Sequence, residues 1–324
     1  MCGIAFHRTF LRGMQENRID NDFMVRPKRK CIADAIDIPG RLPITWSYML
    51  SPLLGAYLPT SVASLFGFKA TTSETREGTW TGAKVFVPEE YQTKVHLFSV
   101  DEMTLAKALL ACRKNSAKLT GLLHQLIINA LAANLPSNID SLGSGTAINM
   151  RNTINVSQDT MGMFVTGDYD FHHVDNRTSS PSQETIWGNA REKTEKLAAR
   201  AKDLVDQPIG LLRYLTNMRG WFVSKVGQPR ESSYEISNLL SFKPIEEGNR
   251  ECKIEEMVFC QPMNVYGPPL VFNVVSVQNG PLNVVVSWQP GALGLDSVDE
   301  KDFVREVCES VREGFKICIG NQDP

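Results

Sequence analysis

Five histidines are the first candidates for proton-transfer chemistry in this chain: His7, His96, His124, His172 and His173. Imidazole is the side chain whose ordinary pKa lies closest to neutrality, so a general base is sought there first. The run Phe171–His172–His173–Val174–Asp175 is the most suggestive, because a histidine beside an orienting carboxylate is a recurring catalytic pair. It reads as a strand, however, and neighbours on a strand point to opposite faces, so at most one of His172 and His173 faces a site. His124 lies within an apolar helical run and reads as a core or supporting residue, while His96 occupies an alternating strand. His7, followed by Arg8, sits on an amphipathic opening segment. Phosphate loops, GxGxxG and GxSxG are all missing, which removes the common nucleotide-binding and serine-hydrolase readings. The seven cysteines (2, 31, 112, 252, 260, 308 and 318) form no CxxC and no Cys–His zinc spacing, so no metal is expected and the thiols read as reduced, in a cytoplasmic setting.

The cationic candidate is Arg151, and the elements around it are the most legible in the chain. A helix is expected over Glu102–Ala117, capped at Ser99 or Asp101, with Leu105, Ala108, Leu109 and Cys112 on one face. A second, apolar nearly all round, follows from a cap at Thr120 through Leu122, Leu123, Leu126, Ile127 and Ala130, and stops at Pro136. Thr146–Ala147–Ile148–Asn149–Met150–Arg151 then reads as a strand tipped with a charge. Further strands are expected at 95–100, 162–165, 168–174, 233–240, 257–259, 270–277 and 282–288, the last two joined by the turn residues Asn279–Gly280. Helices are expected over 186–203, 209–226 and 299–318. Residues 31–80, rich in Pro, Gly, Ser and Thr, read as a long connection.

The chain has 324 residues, 42% hydrophobic and 22% charged, and a formal net charge of −2. That is a globular composition with no electrostatic case for nucleic acid. The apolar stretch 42–68 is cut by Pro43, Pro52 and Pro59 into pieces too short to span a bilayer, leaving a buried or substrate-covering segment or a peripheral membrane contact. Strands mixed with long helices, without steady βα alternation, indicate an α+β fold with a mixed-sheet α/β sandwich.

The order of motifs then carries a resemblance. WTG, a strand, the helix pair containing KLTGLLHQLIINALA, the strand ending in Arg151, EISNLLSF and the β-rich close with SWQPG are together similar to the fungal alcohol acetyltransferase family. That family falls among the CoA-dependent acyltransferases with chloramphenicol acetyltransferase and the peptide-synthetase condensation domains. The resemblance implies two lobes around a tunnel, acetyl-CoA as acyl donor, an alcohol as acceptor, and a base in an HxxxD(G) motif whose Asp pairs with an Arg. The same matching makes Arg151 that Arg and puts Ser237 and Asn238 on a tunnel-lining strand. No HxxxD occurs among the 324 residues, and Cys2 to Leu11 match the residues just after the motif in relatives, with His7 in the downstream FHR. The expectation is therefore a partial N-terminal lobe in 1–95, a C-terminal lobe in 96–324, and impaired acyl transfer. An inactive binding protein on the same fold, or a base role for His172 or His173, stand beside it. An uncovered interlobe surface would favour self-association.

Overall fold

The computed structural model describes residues 2–15, 34–38, 40–66, 75–76, 78–174, 181–243, 253–295 and 298–320. One mixed sheet organises them. β3 (Ser141–Asn149) has β4 (Val165–His173) antiparallel along one edge, and β1 (Thr79–Trp80) and then β5 (Tyr234–Phe242) parallel along the other. β6 (Leu270–Val277) continues the sheet parallel to β5, and β7 (Leu282–Trp288) and β2 (Lys94–Val100) close it antiparallel. β6 and β7 are buried along their whole length and valine-rich, as a strand covered on both faces must be. Their turn places Asn279 in the left-handed region, φ 61°, and is closed by the Gly280 N–H donating to the Val277 carbonyl at 2.9 Å.

Helices cover one face. α4 (Glu102–Lys114) starts where the Asp101 side chain accepts from Thr104 N at 2.9 Å. α5 (Leu119–Asn134) is buried almost all round, as its sequence requires, between α6 (Gln183–Arg200) and α8 (Glu300–Ile319). α8 presents Phe303, Val304, Val307, Val311 and Phe315 as a single stripe to the core. The crossing of α5 over α6 depends on Gly121: a methyl there would overlap the Ala190 carbonyl oxygen and lie 2.6 Å from Thr194 Oγ1. Gly121→Ala is expected to cost about 1–2 kcal/mol, read as a lowered urea midpoint; an unchanged midpoint would show that the helices separate freely.

The second face carries α1 (Cys2–Gln15), which buries Ile4 and Leu11 against Phe242, Val275 and Val277. It also carries the segment 253–263 and a large apolar cavity.

Several elements differ from the sequence expectation. The strand before Arg151 runs over 141–149, and Arg151 stands in the turn beyond it; apart from Leu142 the strand's first half is glycine and serine, which carry no hydrophobic period. The strands expected at 162–165 and 168–174 are the single strand β4. Thr120 lies inside α5 and not at its cap, which is Lys118; its Oγ1 instead accepts from Asn238 Nδ2 at 3.2 Å. The helix expected over 209–226 is a 3-10 helix, Pro208–Tyr214, followed by α7 (Met218–Lys225). The break falls at Asn217, whose side chain accepts from Gly220 N at 2.8 Å and starts a new helix. Residues 257–259 pair with no strand; Asn283 Nδ2 holds the Met257 carbonyl at 2.8 Å instead. The connection over 31–80 contains α2 (Trp46–Tyr57), capped by Thr45, and α3 (Thr60–Leu65). Among the described residues no helix is long and apolar enough to cross a membrane.

Candidate functional site

Alternation along β3 sorts its side chains into two sets. Leu142, Ser144, Thr146 and Ile148 face the helices, while Gly143, Gly145 and Ala147 face the other way. In β4, Gly167 stands opposite Ala147 and Tyr169 opposite Gly145. A sheet surface made of Gly, Ala and Gly has no side chains to fill the space above it, and glycine inside a strand often marks such a close approach. The space is a cavity of about 760 Å³, roofed by Met49 and Pro52 of α2, the 3-10 helix and Trp221 of α7. Its walls are mostly apolar, including Met163, Val165, Ile209, Leu212 and Leu215. That is the make-up of a small-molecule site.

Among the polar residues that interrupt this wall, two flank the same glycine of the floor. Glu235, on β5, lines the cavity and has no hydrogen-bond or ion-pair partner among the described residues. Burial raises its carboxyl above the usual value. The Tyr169 phenol is pushed up to about 12 by burial, and by the Glu235 and Glu231 charges, so it keeps its proton. A point 3.5 Å from both Glu235 Cγ and Tyr169 Cε1 is where a Cβ on Gly145 would sit, so the two side chains flank that glycine. At the rim, Lys225 Nζ pairs with Glu231 Oε1 at 2.7 Å and lies over the Trp221 ring.

Arg151 lies just past the end of β3, beyond Met163 and Val165. It is 1% exposed, and its guanidinium is held by neutral oxygens: Asn149 Oδ1 at 3.1 Å and the carbonyls of Thr160 and Gly162 at 3.2 and 2.9 Å. Its face rests on Phe164, 4.9 Å from the ring centre. Among the described residues it meets no carboxylate. Gly162 also donates its N–H to Cys2 Sγ at 3.4 Å, and Arg8 pairs with Asp159, so the first turns of α1 dock on the loop that Arg151 holds.

The other residues singled out in the sequence are spread over both faces. Ser237 is on the cavity's face of β5 and accepts from Gln261 Nε2 at 2.7 Å. Asn238 faces the helices; its Oδ1 accepts from Leu240 N at 2.7 Å beside the β5 bulge, where Leu240 has φ 64°. His172 also faces the helices, Nε2 2.8 Å from Ser144 Oγ, and burial pushes it down to about 4. His173 faces away from His172 and packs edge-on to Phe171; Asp175 is outside the described residues. His124 is fully buried between Tyr234 Oη and Thr146 Oγ1, both at 2.9 Å. Among the described residues no histidine lines the cavity. Sequence reasoning missed Glu235 and Tyr169, since polar residues alternating with core residues on a strand read as solvent-facing. The Gly143–Gly145–Ala147 alternation was the available signal.

Comparison with known proteins agrees with this architecture. The profile of the alcohol acetyltransferase family matches residues 1–305. "Probable alcohol acetyltransferase FCK4" of Fusarium pseudograminearum is 26% identical over 230 residues, 68% of this chain and 46% of that protein. The chain spans about half the length of the curated relatives it matches. Among solved structures, TRI3 trichothecene 15-O-acetyltransferase from Fusarium sporotrichioides superposes with a TM-score of 0.50 at 13% identity, over 74% of this chain and 49% of that one. The condensation domain of the Monacolin K polyketide synthase MokA gives 0.50 at 13%, over 85% and 58%. At such identities the likeness is one of fold: a mixed α/β sheet of the condensation-domain and CoA-dependent acyltransferase type. With the family profile running from α1 into α8, the chain belongs to the alcohol acetyltransferase family.

Proposed function

We propose that this chain contributes the substrate-binding half of an O-acyltransferase that moves an acetyl group from acetyl-CoA to an alcohol hydroxyl. The observation that carries the reading is the apolar cavity between α2, the 3-10 helix and α7 and the face of β3 and β4 turned away from α5 and α6. An alcohol binds there with its carbon skeleton against Val165, Ile209 and Leu212. In the reaction the acceptor oxygen attacks the thioester carbonyl, its proton passes to a base, and CoA leaves as the thiol. Nothing lining the cavity is a histidine, and the base of the family's HxxxD motif is not among these residues. Arg151 supports the reading as the partner of that motif's carboxylate, since its cage touches the start of α1 through Gly162. A general base contributes about 10²–10⁴ in rate, so the 324 residues alone bind substrates and turn them over poorly.

The test is direct. Calorimetry with acetyl-CoA and an ester-detecting assay over a panel of straight-chain alcohols are run on the same preparation. Binding of acetyl-CoA with ester formation at least about 100-fold below that of a full-length relative is expected from the loss of a general base. Turnover equal to the relative's would overturn the argument from the missing base. No binding of acetyl-CoA at millimolar concentration would overturn the acyltransferase reading itself and favour a binding protein on the same fold.

A further inference from the structure

Two of the polar residues that line the cavity stand side by side and have no part in the acyl-transfer chemistry. Glu235 places a carboxyl in a mostly apolar wall with no protein partner among the described residues, and Tyr169 places a phenol across Gly145 from it. A half-buried carboxyl left unpaired in an apolar setting costs stability unless something completes it. Its position in the sheet is fixed: Glu235 pairs in register with Gly145, and Gly145 with Tyr169. The three residues thus form one row across β5, β3 and β4, with the glycine between the two polar groups. The Glu235 stem and the Tyr169 ring lie against Gly145, and the Tyr169 hydroxyl stands over Gly167, 3.3 Å from where a Cβ there would sit, so a ligand hydroxyl entering above these two glycines meets both side chains.

We propose that Glu235 and Tyr169 form a polar anchor for a hydroxyl of an otherwise apolar ligand, and so select alcohols over hydrocarbons and ethers of the same shape. The carboxyl oxygen accepts the ligand's O–H while the Tyr169 phenol donates to the same oxygen, giving the hydroxyl a donor and an acceptor. Arg151 stands in the turn just beyond Asn149, the end of β3, which lies about 13 Å from Gly145 at a strand's rise per residue. A long ligand anchored at Glu235 therefore points its other end toward the Arg151 loop, past Val165 and Met163. The anchor is then a specificity element for a ligand with a second hydroxyl remote from the reacting one, and it holds a simple alcohol by its only one. A neutral hydroxyl fits beside Glu235 better than a carboxylate-bearing ligand, because the ammonium on the rim, Lys225, is already paired with Glu231.

The inference rests on the cavity being the acceptor's site, and its test is a binding measurement that needs no turnover. Ligand-observed NMR titrations compare 1-hexanol with its methyl ether, which keeps the apolar chain and loses the donor. Four forms of the full chain are used: unchanged, Glu235→Gln, Glu235→Leu and Gly145→Leu, each checked for cooperative thermal unfolding. The unchanged chain is expected to prefer hexanol by about three- to tenfold, the effect of a hydrogen bond made or left unmade. Glu235→Gln, whose amide oxygen still accepts, retains part of that preference. Glu235→Leu binds both probes alike, and Gly145→Leu fills the floor and binds neither. Equal affinity of the unchanged chain for the two probes, or a preference that survives Glu235→Leu, overturns the anchor. If hexanol is preferred as expected but acetyl-CoA does not bind, the anchor stands and the acyltransferase reading falls. If acetyl-CoA binds and neither probe does, the anchor falls and that reading stands.

Discussion

Replacing Arg151 with Met is expected to lower the unfolding free energy by about 3 kcal/mol and to loosen the loop between β3 and β4. The methionine keeps most of the volume and supplies no donors. The carbonyls of Thr160 and Gly162 and the Asn149 side chain then lose the buried guanidinium that gathers them. Arg151→Lys is expected to recover less than half of the loss. A single ammonium cannot span two carbonyls and a side-chain oxygen with the planar fork of a guanidinium, and it gives up the flat contact with Phe164. The loss should spread to α1, because Gly162 also holds Cys2 and Asp159 holds Arg8. Urea unfolding gives the free energy, and hydrogen exchange over 152–162 and 2–15 gives the spread. A wild-type midpoint in the Met variant would show that the cage is replaceable. Unchanged exchange in α1 would show that the loop and the helix are uncoupled.

Why Arg151 is visible in the sequence, and Glu235 is not, depends on the source of each signal. A charge at the end of an apolar run stands out by contrast, and the helix pair before it has a strong 3.6-residue period, so α4, α5 and α8 are legible almost to their ends. The fold class comes from the mixture of such helices with valine-rich β6 and β7. β3 reads too short because Gly143 and Gly145 carry no hydrophobic signal, yet those residues make the cavity floor. The role of α2 is hidden in a segment whose prolines suggest a connection, although Pro52 sits inside that helix. Least legible is the pairing across the sheet. Glu235 lies 90 residues from Gly145 in sequence, and only the parallel register of β3 with β5 brings them together.

Acidification is expected to destabilise the chain well above the pH at which its carboxylates titrate. The cause is a buried polar row between sheet and helices. His124 sits between the hydroxyls of Tyr234 and Thr146, and His172 against Ser144, with Lys193 held by Asp168 and Asp170 at 2.9 and 3.0 Å on the same side. Burial above all, then the charges of Lys193 and His172, keep His124 neutral well below the ordinary imidazole value. Burial pushes His172 down to about 4; Asp170 pulls it up, and Lys193 and Lys196 push it down further. An unfolded chain protonates both rings near pH 6.5, so it binds more protons than the folded one as pH falls below that value. Stability is therefore complete above about pH 6.5 and falls progressively toward pH 4. His172 alone accounts for about 2 kcal/mol of that fall, reduced from the full shift because the ring is part-exposed, and His124 adds to it with the same sign. Two carboxylates act at lower pH. Asp170, which burial would raise, is held down by Lys193 and Lys196, and Asp101 is held down by its hydrogen bonds to Thr104, so both contributions are lost only below about 3.8. Glu235 opposes the trend, since a raised carboxyl makes the folded chain the better proton acceptor above pH 4.5. Urea midpoints at about pH 7.5, 5.5 and 4.5 measure the fall, and His172→Asn, which keeps a partner for Ser144 without titrating, should flatten it. If the midpoint is constant across that range, the imidazoles are not held neutral by the fold. If it falls equally in His172→Asn, the effect belongs to His124 alone.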